Sequence, residues 1–446
     1  MNFERLRALV LERAVQGNLV SQLESEPEIA QLGDAPQQFP IEIPEKWKWV
    51  KLSELTTEMA DGPFGSNLKK EHYTLNREAR IIQLSNIGER GWRNENVKYT
   101  TFEHAETISR SKVNVGDIVI AKMMPAGRAI IVPPIEKAFV LSSDAVKVVV
   151  NNKYCLTKYL NFAINSNVFK NQVYSNVQGT TRIRTSVTKL KNYYIPLPSL
   201  EEQARIVAKL EEAFAEIDRA EKAYEELQTL VGVLRGQILQ EAIQGKLVPQ
   251  LLEEGSVEQI GPLLKEVPFA IPDNWKWVTL SELVPNIVDC PHSTPKYSTE
   301  ETDFLAIDTN CITPVGTIKS WRYVTEEIYK QRVSRLEPQE GDIIYTREGS
   351  IGRAARLPDG AKVCMGQRVM LIRPGAYLEP AYLQWYLMSS YALSHLTEKQ
   401  RGIGVKHINV SDVKKLPIPV PPLLEQRRIV QKVGELLEKV DELSGK

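Results

Sequence analysis

The chain has 446 residues, a quarter of them charged, and its 56 basic and 56 acidic residues give a net charge of zero. This composition is that of a globular protein with room for about three domains, and zero net charge alone argues against a nucleic-acid partner. No apolar run approaches the roughly 20 residues that cross a bilayer, so we expect a cytoplasmic protein. The four cysteines, Cys155, Cys290, Cys311 and Cys364, lack the paired spacing of a metal site.

The chain repeats itself at long range. Four segments recur at offsets of 228, 228, 225 and 223 residues: "LRALVLERAVQGNLVSQL" (6–23) as "LRGQILQEAIQGKLVPQL" (234–251), "PEKWKWVKLSEL" (44–55) as "PDNWKWVTLSEL" (272–283), "GDIVIAKMMPAGRA" (116–129) as "GDIIYTREGSIGRA" (341–354), and "IPLPSLEEQARIVAKLEEAFAEID" (195–218) as "IPVPPLLEQRRIVQKVGELLEKVD" (418–441). Such a period is too long for a solenoid. It predicts a duplicated domain with a shared framework and individual contents.

The first half opens with a predicted helix in 1–23, followed by a mixed α/β domain in 44–198. The domain's predicted strands are "RIIQLSNI" (80–87), "GDIVIAKM" (116–123) and "DAVKVVVNN" (144–152). Residues 156–176 have helical periodicity.

A long helix is predicted within 199–250. Ser199 precedes Glu202 by three residues, which is a capping-box start, and Gly245 is a stop signal. Apolar residues then recur in alternating steps of four and three, which predicts packing against a second helix. This seam includes Ile206, Leu210, Ile217, Tyr224, Leu227, Val231, Leu234 and Ile238.

The second half repeats the plan, with a mixed domain in 272–421 and a helix in 422–446. Its predicted strands are 303–310, 341–348 and 368–374, and 380–396 is helical. The last helix continues the seam with Ile429, Val433, Leu436 and Val440.

The carboxyl-terminal helix lacks its latter half, which the amino terminus supplies. Phe3, Leu6 and Val10 correspond to Val231, Leu234 and Ile238 in the repeat. We therefore predict an α+β protein in which two mixed domains are separated by an antiparallel pair of long helices, in a pseudo-twofold circular arrangement. The alternative is two unrelated, exposed terminal helices.

Charge is unevenly distributed along the chain. Residues 51–195 contain 21 basic and 12 acidic residues, a net of +9, whereas 199–266 contain 7 and 14, a net of −7. Residues 279–417 have 17 and 16, a net of +1. The first domain is therefore basic enough for a nucleic-acid partner, and the second is nearly neutral.

Catalytic and metal motifs are not found. The sequence has no GxxxxGK[ST], no GxGxxG after a strand and no HExxH. "CPH" (290–292) is interpreted as an ordinary loop, and Asp412-Val413-Lys414 as a charged turn. We expect no catalytic residues and no metal site in this chain.

Polar loops instead favour nucleic-acid recognition, because arginine matches guanine and asparagine or glutamine matches adenine in the major groove. "DGPFGSNLKKEHY" (61–73), "NVQGTTRIRTS" (176–186) and "KQRGIGVKHIN" (399–409) carry such residues, although a single basic loop is more often a solvated surface. The DNA-binding candidates of the first domain are Lys69, Lys70, Asn86, Lys122, Gln178, Thr180, Thr181, Arg182 and Arg184. Those of the second are His292, Ser293, Lys296, Arg347, Arg353, Arg401, Lys406 and His407.

The chain as a whole resembles the specificity subunit of a Type I restriction-modification enzyme. The resemblance rests on the boxes "IPLPSLEEQARIV" and "IPVPPLLEQRRIV" before long helices, the duplicated "GDI", and the turns "DGPFGS" and "DCPHSTPKY". It implies a non-catalytic subunit with two target-recognition domains, each reading half of a bipartite DNA sequence, spaced by the helices. A helix ahead of the first recognition domain departs from the commonest layout.

The resemblance also implies partners. Two methyltransferase subunits would use S-adenosylmethionine to methylate adenine, and two restriction subunits would use ATP and Mg, while this chain binds no cofactor itself. Two other interpretations are the specificity chain of a fused restriction-methylation (Type IIB-like) enzyme and a coiled-coil adaptor that does not bind DNA.

Overall fold

The computed structural model describes residues 2–38, 41–175, 184–264, 266–398 and 407–444. The chain forms two compact units, unit 1 (1–223) and unit 2 (224–446), where length alone allowed about three. The division falls inside one long helix. No helix in the described residues is long and apolar enough to cross a membrane.

Unit 1 combines helices with small sheets. Its helices are α1 (Phe3–Val15), α2 (Phe102–Thr107), α3 (Thr157–Asn165), α4 (Asn167–Ser175), α5 (Val187–Lys191) and α6 (Leu200–Ile243), the last of which continues into unit 2. Its strands are β1 (Lys48–Lys51), β2 (Thr56–Asp61), β3 (Tyr73–Thr74), β4 (Ala79–Ile82), β5 (Ile87–Gly88), β6 (Gly91–Trp92), β7 (Tyr99–Thr100), β8 (Lys112–Val113), β9 (Ile118–Ala121), β10 (Ala129–Ile131), β11 (Ala138–Leu141), β12 (Ala145–Val150) and β13 (Tyr194–Leu197). The sheets have the orders β10-β9-β12-β2, β3-β7-β4-β11-β8, β1-β13 and β5-β6.

Unit 2 follows the same plan. Its further helices are α7 (Glu326–Arg332), α8 (Pro380–Met388), α9 (Ser390–Thr397), α10 (Val410–Lys414) and α11 (Leu423–Leu443). Its strands are β14 (Lys276–Thr279), β15 (Asn286–Asp289), β16 (Phe304–Ile307), β17 (Arg322–Tyr323), β18 (Ile343–Thr346), β19 (Ala354–Arg356), β20 (Lys362–Met365), β21 (Val369–Arg373) and β22 (Pro417–Val420). They form the sheets β15-β21-β18-β19, β17-β16-β20 and β14-β22. The predicted α+β class is confirmed.

Five of the six predicted strands are confirmed, and the sixth is wrong in part. Residues 80–87 are not one strand, because β4 ends at Ile82 and a short 3-10 turn separates it from β5. The turn is held by Asn86, whose side-chain oxygen accepts the Gln83 N–H at 2.9 Å. The local pattern was apolar enough for a strand, but this side chain satisfies the backbone differently.

The sequence predicts one helix in 156–176 and one in 380–396, each shortly before a box of the repeat (195–207 and 418–430). Each of these helices is in fact two helices. A buried serine ends the first and caps the second, so that Ser166 Oγ accepts the Phe169 N–H at 3.3 Å and Ser389 Oγ accepts the Ala392 N–H at 3.2 Å. Serine favours this role because its hydroxyl replaces the missing backbone partner at a helix start. Apolar periodicity runs on across the break and does not reveal it.

Two of the repeated segments pair with each other in each unit. The strand that follows the first tryptophan lies antiparallel to the strand of the box, as β1 with β13 and as β14 with β22. In the same register Lys48 faces Leu197 and Lys276 faces Val420. These segments therefore recur together because each is the other's partner.

The box also contains a buried glutamine that ties the long helix to its domain. Gln203 is fully buried; its amide donates to the carbonyl oxygens of Tyr154 at 3.0 Å and Pro198 at 2.9 Å, and its oxygen accepts the Leu156 N–H at 2.7 Å. Gln426 makes the equivalent three bonds in unit 2.

The start of α6 agrees with only half of the predicted capping box. Ser199 Oγ accepts the Glu202 N–H at 3.2 Å. The Glu202 carboxylate does not reach back, because it accepts from the Trp47 indole at 2.9 Å and the Gln22 amide at 2.6 Å.

Each unit contains an antiparallel helix pair. In unit 1, α1 lies on the first half of α6, with an ion pair between Arg7 and Asp218; in unit 2, α11 lies on the second half, with the equivalent pair Arg235–Asp441. Helix α1 ends at Val15, well before the predicted limit of 23. Gly17 follows with a φ of +74°, and any Cβ there would collide with Pro44.

The seam is buried unevenly. Its buried members are Phe3, Ile206, Leu210, Val231, Ile238, Ile429, Val433 and Val440, and its half-buried members are Val10, Ile217, Tyr224 and Leu436. Leu6, Leu227 and Leu234 remain 40%, 36% and 40% exposed, which differs from the expected continuous contact. A helix pair covers only one side of each helix, and burial is complete where sheets and shorter helices also contact it.

Candidate nucleic-acid interface

Four segments of unit 1 meet at one edge of the sheet β10-β9-β12-β2. Strand β2 ends at Asp61, and the Lys122 ammonium that follows β9 lies 2.7 Å from the Asp61 carboxylate. The Lys122 N–H donates to the Asp144 carbonyl at 2.8 Å, and its own carbonyl accepts the Thr185 N–H at 2.8 Å. The edge therefore brings together the ends of two strands, the start of β12 and the segment that follows 176–183.

Unit 2 builds the same edge with different side chains. Arg347 follows β18 and forms an ion pair with Asp289, at the end of β15. The Arg347 N–H donates to the Arg368 carbonyl at 2.9 Å, and its carbonyl accepts the Ile408 N–H at 2.8 Å. The backbone arrangement thus recurs although the loops do not resemble each other.

The two ion pairs hold this edge together. Lys122 and Arg347 have side chains only 10% and 12% exposed. Burial of Arg347 disfavours its charge, but the hydrogen bond that its guanidinium donates to Asp289 and the attraction of that carboxylate outweigh burial and raise the pKa of the guanidinium. These two predicted DNA contacts therefore serve the framework here, since their charge is already matched by an aspartate.

The loop after β2 carries Lys69 and Lys70 and is held by histidines. The Lys69 N–H donates to His72 Nδ1 at 3.0 Å, and His104 Nε2 donates to the Asn67 carbonyl at 2.9 Å. The two imidazole rings stack with centroids 4.1 Å apart. Both lysines are exposed, and an exposed lysine can meet a phosphate.

The remaining candidates divide into exposed, buried and undescribed residues. Exposed ones are Arg184, His292, Ser293, Lys296 and His407, as expected for a contact surface. Gln178, Thr180, Thr181, Arg182, Arg401 and Lys406 lie outside the described residues.

Two candidates have structural roles instead. Asn86 is fully buried and donates to the carbonyl oxygens of Arg93 and Glu95, so its amide group already has partners within the fold. Arg353 is half-buried and donates to the Ile312 carbonyl at 2.8 Å. The positions of these two residues in the sequence did not reveal these bonds.

The sequence interpretation missed Asp61 and Asp289. Both begin the related turns "DGP" and "DCP", so the repeat offset of 228 residues was a usable signal. It also missed Asp144 and Arg368, for which no such signal existed because the repeat is not readable there. Within the described residues, no three His, Cys, Asp or Glu side chains are grouped to hold a metal ion.

Comparison with known proteins places this architecture among restriction-modification proteins. The family described as Type I restriction modification DNA specificity domain matches residues 44–229 and 272–444. The EcoEI specificity subunit of Escherichia coli is 22% identical over 99% of this chain and 90% of its own length. The EcoBI specificity subunit, also from Escherichia coli, is 24% identical over 60% of this chain and 56% of its own length.

Solved structures share the fold. A chain from a structure described as the basis of complex assembly and conformational transition of the type I R-M system has a TM-score of 0.68 at 21% identity, over 91% of this chain and 93% of that chain. The HsdS subunit of Thermoanaerobacter tengcongensis has a TM-score of 0.51 at 21% identity, over 91% and 92%. The duplicated framework and the family match together establish that this chain belongs to the Type I restriction-modification DNA specificity family.

Proposed function

We propose that this chain is the DNA-recognition subunit of a Type I restriction-modification enzyme and that each unit reads one half of a bipartite target. The observation that carries the proposal is the polar edge built twice on one framework. Equivalent ion pairs and equivalent backbone bonds hold it in both units, while the exposed side chains differ. A shared framework with different contents suits one chain that must read two different base sequences.

The partners follow from the same duplication. A surface that recurs in both units can bind two copies of one protein, which we infer to be the methyltransferase subunit, with two restriction subunits completing the enzyme. In this proposal S-adenosylmethionine belongs to the methyltransferase, ATP and Mg belong to the restriction subunit, and catalysis resides in neither unit of this chain. The recurring bonds of Gln203 and Gln426 support the duplicated scaffold.

Methylation mapping tests the proposal. The full chain, co-expressed with its methyltransferase partner in a host that lacks both, is expected to yield methylated adenines within one two-part motif separated by a spacer of unspecified bases. The chain without its partner should produce none. A motif in one block, or methyl transfer by the purified chain with S-adenosylmethionine, would contradict it.

We expect Lys69 and Lys70 to contact phosphates. Replacing both with alanine should weaken binding to target and non-target duplexes alike and reduce the slope of log affinity against log salt by up to about two units, since each phosphate contact contributes about 0.9. Binding would be measured across a salt series with the methyltransferase partner present. The control is Arg356→Ala. Arg356 is an exposed basic residue of unit 2 on β19, and it pairs with Ile343 at the start of β18, away from Arg347 at the other end of that strand. Unchanged affinity at low salt would refute the assignment.

A further inference from the structure

We propose that Asp144 in unit 1 and Arg368 in unit 2 occupy the same framework position and each read one base, cytosine by Asp144 and guanine by Arg368. The proposal rests on the DNA-recognition role above and adds to it which residue sets one base of each half-site. Neither residue is at a position that the repeat aligns by sequence.

Backbone bonds establish the equivalence. The carbonyl of Asp144 accepts the N–H of Lys122 at 2.8 Å, and the carbonyl of Arg368 accepts the N–H of Arg347 at 2.9 Å. Lys122 and Arg347 are themselves equivalent, because each follows the strand after "GDI" and pairs with the aspartate that ends a neighbouring strand. Asp144 and Arg368 then directly precede β12 and β21, which are the matching strands of the two sheets.

Arg368 is presented outward rather than used in the framework. Its side chain is 58% exposed, and its Nε lies 3.6 Å from the Glu348 carboxylate, longer than a hydrogen bond. Its φ of +63° lies in the left-handed region, which is costly for a residue with a Cβ and is often found where function requires it. It lines a cavity of about 210 Å³ together with His292, Arg347 and Gln367.

The side chain of Asp144 is also available to bind a ligand. In the described part of the chain, its carboxylate has no hydrogen bond and no ion pair, although its backbone carbonyl is engaged by Lys122. A half-buried carboxylate beside a lysine that is already matched by Asp61 retains its acceptor capacity.

Arg368 is a hydrogen-bond donor and Asp144 is an acceptor, so the two side chains suit different bases. Arginine donates two hydrogen bonds to O6 and N7 of guanine, whereas a carboxylate accepts from the N4 amino group of cytosine. A difference confined to one framework position would let two domains with the same backbone discriminate different bases.

Arg368→Gln and Asp144→Asn test this in the full chain with its methyltransferase partner. Each variant's affinity would be measured for duplexes that carry the mapped wild-type target with all four base pairs at every recognised position. We expect each variant to lose about 5- to 150-fold discrimination at a single position, in different half-sites, and Arg368→Gln to gain preference for adenine there. Arg356→Gln, exposed at the far end of β19, is the control and should leave every position unchanged.

The outcomes distinguish failure of this base-reading proposal from failure of the DNA-recognition function on which it rests. Discrimination identical to wild type, or a loss that is uniform over all sequences, overturns the base-reading role while the wild-type motif remains bipartite. A wild-type enzyme with no bipartite motif refutes the recognition role itself. Arg368→Lys, which retains the charge but not the planar fork of donors, guards against misfolding of the first variant, and we expect it to keep a weakened preference for guanine.

Discussion

We expect Gln203→Leu to lower the free energy of unfolding of unit 1 by about 3–5 kcal/mol. Leucine has a similar volume, but it leaves the Tyr154 and Pro198 carbonyls and the Leu156 N–H buried without partners, at about 1–3 kcal/mol each before relaxation. Urea denaturation of the full chain would measure the loss, and hydrogen exchange of the β13 amides would assign it to unit 1.

The repeat provides the control for this variant. Gln426→Leu should have the same cost in unit 2, because its three bonds are equivalent. Gln237→Leu, on the exposed face of α6, should change stability by less than about 0.5 kcal/mol. A loss of less than about 1 kcal/mol in the free energy of unfolding for Gln203→Leu would show that this glutamine does not tie α6 to its domain.

We expect a four-residue insertion after Tyr224 to lengthen the DNA spacer without changing either half-site. Helix α6 is continuous across this point, and four residues add about 6 Å along its axis, equivalent to at most about two base pairs. The insertion rotates the following residues only about 40° beyond a full turn, and the helix pair can absorb the resulting stutter. Genome-wide methylation mapping of the variant measures the spacer.

A two-residue insertion at the same place should abolish modification, because it rotates everything beyond it by about 200°. Four residues inserted after Gly255, which lies outside the helix, should leave the spacer unchanged. An active four-residue variant with the wild-type spacer would show that α6 does not set the distance between half-sites.

The framework of this protein could be predicted from its amino-acid sequence. Four repeated segments revealed the duplication, the seam predicted the long helix, and Ser199 and Gly245 placed its ends within two residues of Leu200 and Ile243. These features could be predicted because helical periodicity and capping depend on residues three or four positions apart. Even so, Ser166 and Ser389 broke predicted helices in two, since whether a serine caps depends on the local chain path.

Which polar side chains remain available for DNA could not be predicted in this way, because it depends on how the chain folds. Lys69, in a predicted turn, and Lys122, in a predicted strand, are both candidate DNA contacts, yet Lys69 is exposed and Lys122 is paired with Asp61, which lies 61 residues away in the chain. Asn86 has a side chain suited to a base, but it is buried and donates to two carbonyl oxygens, whereas Asp144 and Arg368, which directly precede β12 and β21, are not among the sequence candidates. A polar group is available only when nothing else in the fold satisfies it, and that depends on strands brought together from distant parts of the sequence.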